Sequence, residues 1–229
     1  MLSLPDPKSV DAVFFDAGGV LVLPDLVAGR KALQTLGCEP TETDWTRAHY
    51  ASMAEFDSMD APDWPALRRC FAAHVGVAND RLEAAVPLVD VLVVSTPWMA
   101  VPNAAETLRT LSTAGYKLGV ISNASGTVEA ELRTAGICSI TGGTLPRVEI
   151  IVDSHLVGIE KPDPRIFRLA LDALGVEPDR VVHVGDSVKC DVAGAIGAGL
   201  HALHLDPMNS CSGGHSDMES LDDLLNWLV

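Results

Sequence analysis

Residues 10–22 read VDAVFFDAGGVLV, an apolar and aromatic run that ends in one acid, Asp16, and then in two glycines. An apolar run of this length, stopped abruptly by a polar residue, is the pattern of a strand buried on both faces, as in a parallel sheet. Asp16 then stands at the carboxyl end of that strand, where a turn through Ala17, Gly18 and Gly19 lets backbone come close to a ligand. Two later segments repeat the pattern. KLGVI at 117–121 leads into Ser122 and Asn123, and VVHV at 181–184 leads into Gly185 and Asp186.

Helical patterns lie between and after these runs. Residues 103–114 open after Pro102 and stop at Gly115, residues 127–135 stop at Gly136, and residues 164–174 begin with Pro164 and stop at Gly175. Proline at the start and glycine just past the end are the expected punctuation of a helix. Strands alternating with helices over short joints predict the α/β class: a three-layer core around a parallel sheet, with ligands at the carboxyl ends of the strands. The stretch 24–97 is different, with helical patterns at 26–36, 43–56 and 65–75 and no clear strand among them. It predicts an α-helical insertion that leaves the core after the first strand and returns between Pro97 and Pro102. The expected domains are therefore a core of 1–23 with 98–229 and a helical domain of 24–97. No internal repeat is evident, and NSCSGGHSD at 209–217 reads as a polar loop before a last amphipathic helix.

At 229 residues the chain has room for one well-buried core and one smaller subdomain. With 48% hydrophobic and 21% charged residues, its composition is that of a soluble globular protein. No apolar stretch approaches the roughly 20 residues needed to cross a bilayer, and MLSLPDPKSVD at the start lacks the basic flank and long apolar stretch of an export signal. A cytoplasmic location is expected. The five cysteines, 38, 70, 138, 190 and 211, include no C-x-x-C pair and are odd in number, so their spacing indicates neither a structural zinc nor a disulfide framework. The formal net charge of −15 repels nucleic acid and anionic membranes, which excludes both as expected partners. A small anionic substrate would meet the same field, so its site must rely on local cations, a metal and backbone N–H groups.

Four segments carry the chemistry: FFDAGGVLV at 14–22, ISNAS at 121–125, EKPDPRIF at 160–167 and HVGDSVKCD at 183–191. They supply a carboxylate, a hydroxyl, a cation and two more carboxylates, the groups needed to handle a phosphoryl group with a divalent metal. Asp186 and Asp191 offer the hard oxygen ligands that suit Mg²⁺. His183 reads as a packed core histidine. Lys31, Arg47, His49, Tyr50, Arg68 and Arg69 of the insertion either reach a substrate or form solvated helix faces, and none is assigned a role.

In this order, with the long interval after the first, the four segments resemble the haloacid dehalogenase (HAD) superfamily of hydrolases with a helical (C1-type) cap, over the whole length of the chain. The resemblance implies a Rossmann-like core and a Mg²⁺-dependent reaction in which Asp16 is the nucleophile and forms an aspartyl intermediate. It assigns Asp16, the Gly18 carbonyl and Asp186 to the metal. Asp191 is a further carboxylate of the metal site, one shell out, or else a helix N-terminal acid. Ser122 and Asn123 would hold phosphoryl oxygens, and Lys161 would neutralise charge on both nucleophile and phosphate. In one respect the chain departs from the family's usual phosphatase branch, which carries a second aspartate where Gly18 stands, although some branches with glycine here resemble sugar-phosphate phosphatases. That aspartate protonates the leaving oxygen and then activates water, and loss of such a group costs about 10²–10⁴-fold in rate.

The function expected is hydrolysis of a small phosphorylated metabolite. Carbon–halogen or carbon–phosphorus cleavage is the alternative, since those branches also lack the second aspartate. Dehalogenases need no metal, however, and Lys31, the only lysine of the insertion, does not sit in surroundings that match the phosphonate branch. A non-catalytic binding protein is the third reading. The substrate and the oligomeric state stay open.

Overall fold

The structure, a computed structural model, describes residues 4–61, 63–209, 211 and 213–229. The first three residues of the N-terminal segment, and Ser210 and Ser212 of the 209–217 stretch, lie outside the described residues. In chain order the elements are β1 (Ala12–Phe15), β2 (Val22–Pro24), α1 (Leu26–Leu33), α2 (Glu42–Ser58), α3 (Trp64–His74), α4 (Leu82–Ser95), β3 (Trp98–Ala100) and α5 (Ala104–Thr113). There follow β4 (Lys117–Ser122), α6 (Val128–Thr134), β5 (Ile150–Asp153), α7 (Ser154–Val157), α8 (Pro164–Leu174), β6 (Val181–Gly185), α9 (Ala193–Gly197), β7 (His201–Leu205), β8 (Asp217–Met218) and α10 (Leu221–Leu228). No helix among the described residues is long and apolar enough to cross a membrane.

Two compact units result, one of Ala100–Val229 with the chain up to Val22, the other Leu23–Met99. The first is an α/β unit whose six strands run parallel in the order β5-β4-β1-β6-β7-β8. Every residue of β1 and of β6 is buried, as their apolar runs require. Phe15 pairs with Val120 of β4 on one side and Val184 of β6 on the other, so β1 is flanked by the two other strands that carry motifs. Chain order reverses direction across β1, and the carboxyl ends of β1, β4 and β6 open on one crevice, the place where such sheets bind ligands. Helix α8 begins with Pro164 behind an Asp163 cap and ends at Gly175 in the left-handed region; its Ile166, Phe167, Ala170 and Leu171 pack with Phe14, Ile121 and Val152 of the sheet.

Leu23–Met99 is built of helices α1 to α4, and its core gathers Leu33, Trp45, Phe71, Val75, Val89 and Leu92. The Trp45 ring meets Phe71 edge-on at 4.8 Å, and its Nε1 donates to the Pro24 carbonyl at 2.8 Å. A Cβ on Gly29 would come within 2.1 Å of the Trp45 ring, so only glycine admits the indole against α1. Helix α4 is one element that the sequence reading leaves unnamed.

Candidate active site

Each motif residue is delivered by the end of a strand or by a loop pinned to one. The Asp16 N–H extends the ladder of β1 by donating to Val184 O at 2.8 Å, and Asp16 Oδ1 accepts from the next N–H, that of Ala17, at 2.7 Å. Gly19 takes a φ of +74° and donates to Val22 O at 2.8 Å, a conformation for which glycine is the default residue. Gly18 pairs with Val22 in an isolated bridge, so the position that bears an acid in the family's usual phosphatase branch is backbone only.

Ser122 closes β4 and is buried beside Asp153 of β5. The Asp153 carboxylate accepts N–H bonds from Gly126 (2.9 and 3.1 Å) and His155 (3.0 Å), and Ser154 Oγ accepts from Ala124 N at 3.0 Å. The loop after Ser122 is therefore tied to the end of the neighbouring strand. Within that loop Asn123 uses both atoms of its amide on one residue. Its Nδ2 donates to Lys161 O at 2.9 Å, and its Oδ1 accepts from Lys161 N at 2.7 Å. Its amide oxygen and one amide N–H are thus committed to Lys161, which leaves its second Nδ2–H and its main chain for a phosphate oxygen.

Lys161 is 3% exposed and bridges two carboxylates, with Nζ 2.9 Å from Asp16 Oδ1 and 2.6 Å from Asp191 Oδ1. Asp191 comes from a wide turn, Val188–Val192, in which Val192 N reaches back to Ser187 O at 3.1 Å; such π-type turns recur at functional sites. Its Oδ1 also meets His183 Nε2 at 2.8 Å, and its Oδ2 accepts from Ser187 N at 3.2 Å. A Cβ on Gly185 would lie 2.1 Å from Asp191 Cγ, which makes the glycine of HVGD the seat of this carboxylate.

Electrostatics follow from this burial. Burial pushes the Asp16 carboxyl up to about 7 against the pull of Lys161, and the charges of Asp191 and Asp186 raise it further. For Asp191 burial acts in the same direction, but Lys161 and His183 outweigh it and hold the carboxyl below its usual range. Burial also opposes the Lys161 charge, yet Asp16 and Asp191 keep the ammonium above its ordinary value. Burial lowers the basicity of His183 more than Asp191 restores it, and its Nε2 faces the Asp191 carboxylate at 2.8 Å.

The sequence-predicted residues Asp16, Asp186 and Asp191 come together, with one oxygen of each inside a group no wider than 4.8 Å. All the donors are hard oxygens. That donor set fits a small divalent cation. Two residues outside the sequence-predicted set also shape the site. His183 orients Asp191 and packs edge-on against Phe167 at 5.0 Å, and Gly185 makes room for the carboxylate. The available signal was a titratable side chain in the otherwise apolar run VVHVG.

Comparison with known proteins agrees with this geometry. The family model of haloacid dehalogenase-like hydrolases matches residues 10–199. The chain belongs to that family. Among its relatives, this HAD-like hydrolase is 29% identical over 213 residues to (S)-2-haloacid dehalogenase 4A of Burkholderia cepacia, covering 86% of this chain and 83% of the relative. It is 40% identical over 103 residues to glyceraldehyde 3-phosphate phosphatase of Methanothermobacter thermautotrophicus, covering 44% and 42%. The chain spans about half the length, or less, of the curated relatives it matches first. Its fold is that of a HAD phosphatase from Thermococcus onnurineus, with a TM-score of 0.61 at 22% identity and coverage of 96% and 98%. Dehalogenases and phosphatases thus both stand among the relatives of this HAD-like hydrolase.

Proposed function

We propose that the chain is a Mg²⁺-dependent phosphatase of small phosphorylated metabolites in which Asp16 is the nucleophile. One observation carries the choice of phosphatase over dehalogenase: three carboxylates, Asp16, Asp186 and Asp191, each bring an oxygen within 4.8 Å of the others. A dehalogenase needs no metal, whereas a cluster of hard oxygens of this kind suits Mg²⁺. Mg²⁺, held by Asp16, Asp186, Asp191 and the Gly18 carbonyl, would lower the cost of charge on the phosphoryl oxygens.

The residues divide the work as follows. Lys161 favours the ionised form of Asp16 against the effect of burial and lies 2.9 Å from one of its oxygens. Attack by an Asp16 oxygen on phosphorus forms the acyl phosphate as the ester P–O bond breaks, and the leaving oxygen takes its proton from water, since Gly18 supplies none. Water then attacks phosphorus, releases inorganic phosphate and returns Asp16 as a carboxylate. Ser122, at the buried end of β4, and the main chain of Asn123 would hold the transferring oxygens. Asn123 also sets the backbone of Lys161, and His183 sets Asp191. The helical unit Leu23–Met99, in the cap position of the family, is assigned substrate selection.

The test is a screen of phosphorylated metabolites for Mg²⁺-dependent phosphate release, with a 2-haloacid and a phosphonate as controls. Phosphate release that disappears in Asp16→Asn, by about 10⁴-fold or more as when other nucleophiles are removed, supports the assignment. Halide release without metal would replace it with dehalogenation, and metal binding without any turnover would replace it with a binding role.

A further inference from the structure

The segment that joins β7 to β8 gathers a second set of ligand-type side chains. His204 comes from β7, Cys211 and His215 from the connecting segment, and Asp217 opens β8. The three ligand atoms of His204, Cys211 and His215 all lie within 4.8 Å of one another. His215 Nε2 is 3.2 Å from His204 Nδ1 and 3.5 Å from Cys211 Sγ. Asp217 Oδ1 is 3.1 Å from His204 Nδ1 and 2.9 Å from His215 Nε2. A tetrahedral zinc ion, bonded at about 2.0–2.1 Å to nitrogen or oxygen and about 2.3 Å to sulfur, separates its donors by about 3.3 Å, or by about 3.6 Å where one is sulfur. The two edges from His215 to His204 and Cys211 match those lengths within 0.1 Å, and the two to Asp217 are 0.2–0.4 Å shorter.

Proton count favours a cation over a simple hydrogen-bonded knot. His204 Nε2 lies 3.3 Å from the main-chain carbonyl of Asp186, which can only accept. In the neutral ring the proton is therefore on Nε2, and Nδ1 turns a lone pair toward the Asp217 carboxylate and His215. With both rings neutral, the contact of His204 Nδ1 with the Asp217 carboxylate has no proton whichever way the His215 N–H and the Cys211 S–H turn, so it needs either a protonated His204 ring or a cation, and one divalent ion meets all four atoms. Donation from the outer nitrogen of a ligating histidine to a main-chain carbonyl is also what metal-bound imidazoles commonly show. The backbone has been cleared for the ring as well: a Cβ on Gly213 would fall 2.3 Å from His215 Cε1 and 2.5 Å from its Nδ1.

We propose that His204, Cys211 and His215, with Asp217 as the fourth donor, bind one borderline-soft transition metal, Zn²⁺ by their chemistry, at a closed structural site separate from the carboxylate cluster. One thiolate and one carboxylate balance the ion's charge, and a thiolate with two imidazoles selects against Mg²⁺. The metal would fasten the connection between β7 and β8 and, through His204, brace the main chain of Asp186. The pattern, H-x6-C-x3-H-x-D, contains no cysteine pair, so cysteine spacing alone passes over it.

The experiment is titration of the whole chain with Co²⁺ in excess Mg²⁺, which keeps the carboxylate cluster occupied. One equivalent should produce the strong visible bands of tetrahedral cobalt and a sulfur-to-cobalt charge-transfer band, and one equivalent of Zn²⁺ should abolish both. Cys211→Ser should remove the charge-transfer band, His215→Ala should weaken binding at least tenfold, and Gly213→Ala should weaken it without deleting a ligand. In the unsubstituted protein, which involves no variant that could misfold, Zn²⁺ should shield Cys211 from alkylation. No stoichiometric uptake, or cobalt spectra and alkylation of Cys211 indifferent to these changes, would overturn the proposal and leave a cluster held by protons. The outcome is independent of whether phosphate, halide or nothing is released at Asp16.

Discussion

Both units carry exposed ion pairs, but the α/β unit also holds a buried ionic network at the end of its sheet. In Leu23–Met99 the ion pairs Arg47–Asp44, Arg69–Glu83 and His74–Glu55 lie on the outside of the helices, with partners from a third to three-quarters exposed. In the α/β unit Lys161, Asp191 and His183 are no more than 1% exposed as side chains and share atoms with Asp16. Pairs of the first kind contribute little, because water screens them and long side chains lose freedom to form them. Pairs of the second kind cost several kcal/mol per ion to desolvate, and removing one partner strands the other. A buried ionic network of this sort is weak evidence for stability and better evidence for chemistry: in this molecule the packing of helices holds one unit, while the other accepts an unfavourable cluster at the end of its sheet.

Lys161→Met is the sharpest way to break that contrast. It leaves the carboxylates without their cation and should cost about 3–5 kcal/mol in denaturant unfolding of the metal-free protein, with phosphate release lost as well. A variant as stable as the parent would mean that the carboxylates had taken up protons at little cost. Trp45→Ala probes the helical unit, where it removes a ring packed on Phe71 and opens a hole opposite Gly29. The expected loss is about 3–5 kcal/mol, at most equal to that of the lysine. Hydrogen exchange should rise across residues 26–95 rather than in the strands. Arg69→Ala comes last, and its denaturation midpoint should not move. A measurable drop would show that surface pairs matter more in this unit than its packing.

The strands buried on both faces were the most legible elements, because β1 is wholly apolar, β4 is polar only at its ends, and β6 carries the single polar residue His183 within an otherwise apolar run. β7 was hidden by His201 and His204, which break its apolar run, and the His204 ring finds its partners in Asp186 and Asp217, far away in sequence. Helix α4 contains LVDVLVV, whose β-branched residues and inner Pro87 blur the helical period. In the site, the identity of Asp16, Lys161, Asp186 and Asp191 could be read from motif order. Their partners could not. The hold of Asn123 on Lys161 spans 38 residues and uses the side-chain amide of a residue that the sequence reading assigned to phosphate. Asp191, which could be read as an ordinary helix N-terminal acid, instead shares Lys161 with Asp16.

The Asn123 amide has a donor at one end and an acceptor at the other, and the Lys161 peptide offers their complements in matching order. An aspartate in its place would keep the acceptor and set a negative oxygen against a carbonyl, and a serine would fall short of both. The second and third motifs are thus a lock and its key rather than two independent parts. A chimaera that borrows either loop alone from a relative would carry every named side chain and still leave the ammonium without its footing, whereas one that borrows both should keep it in place.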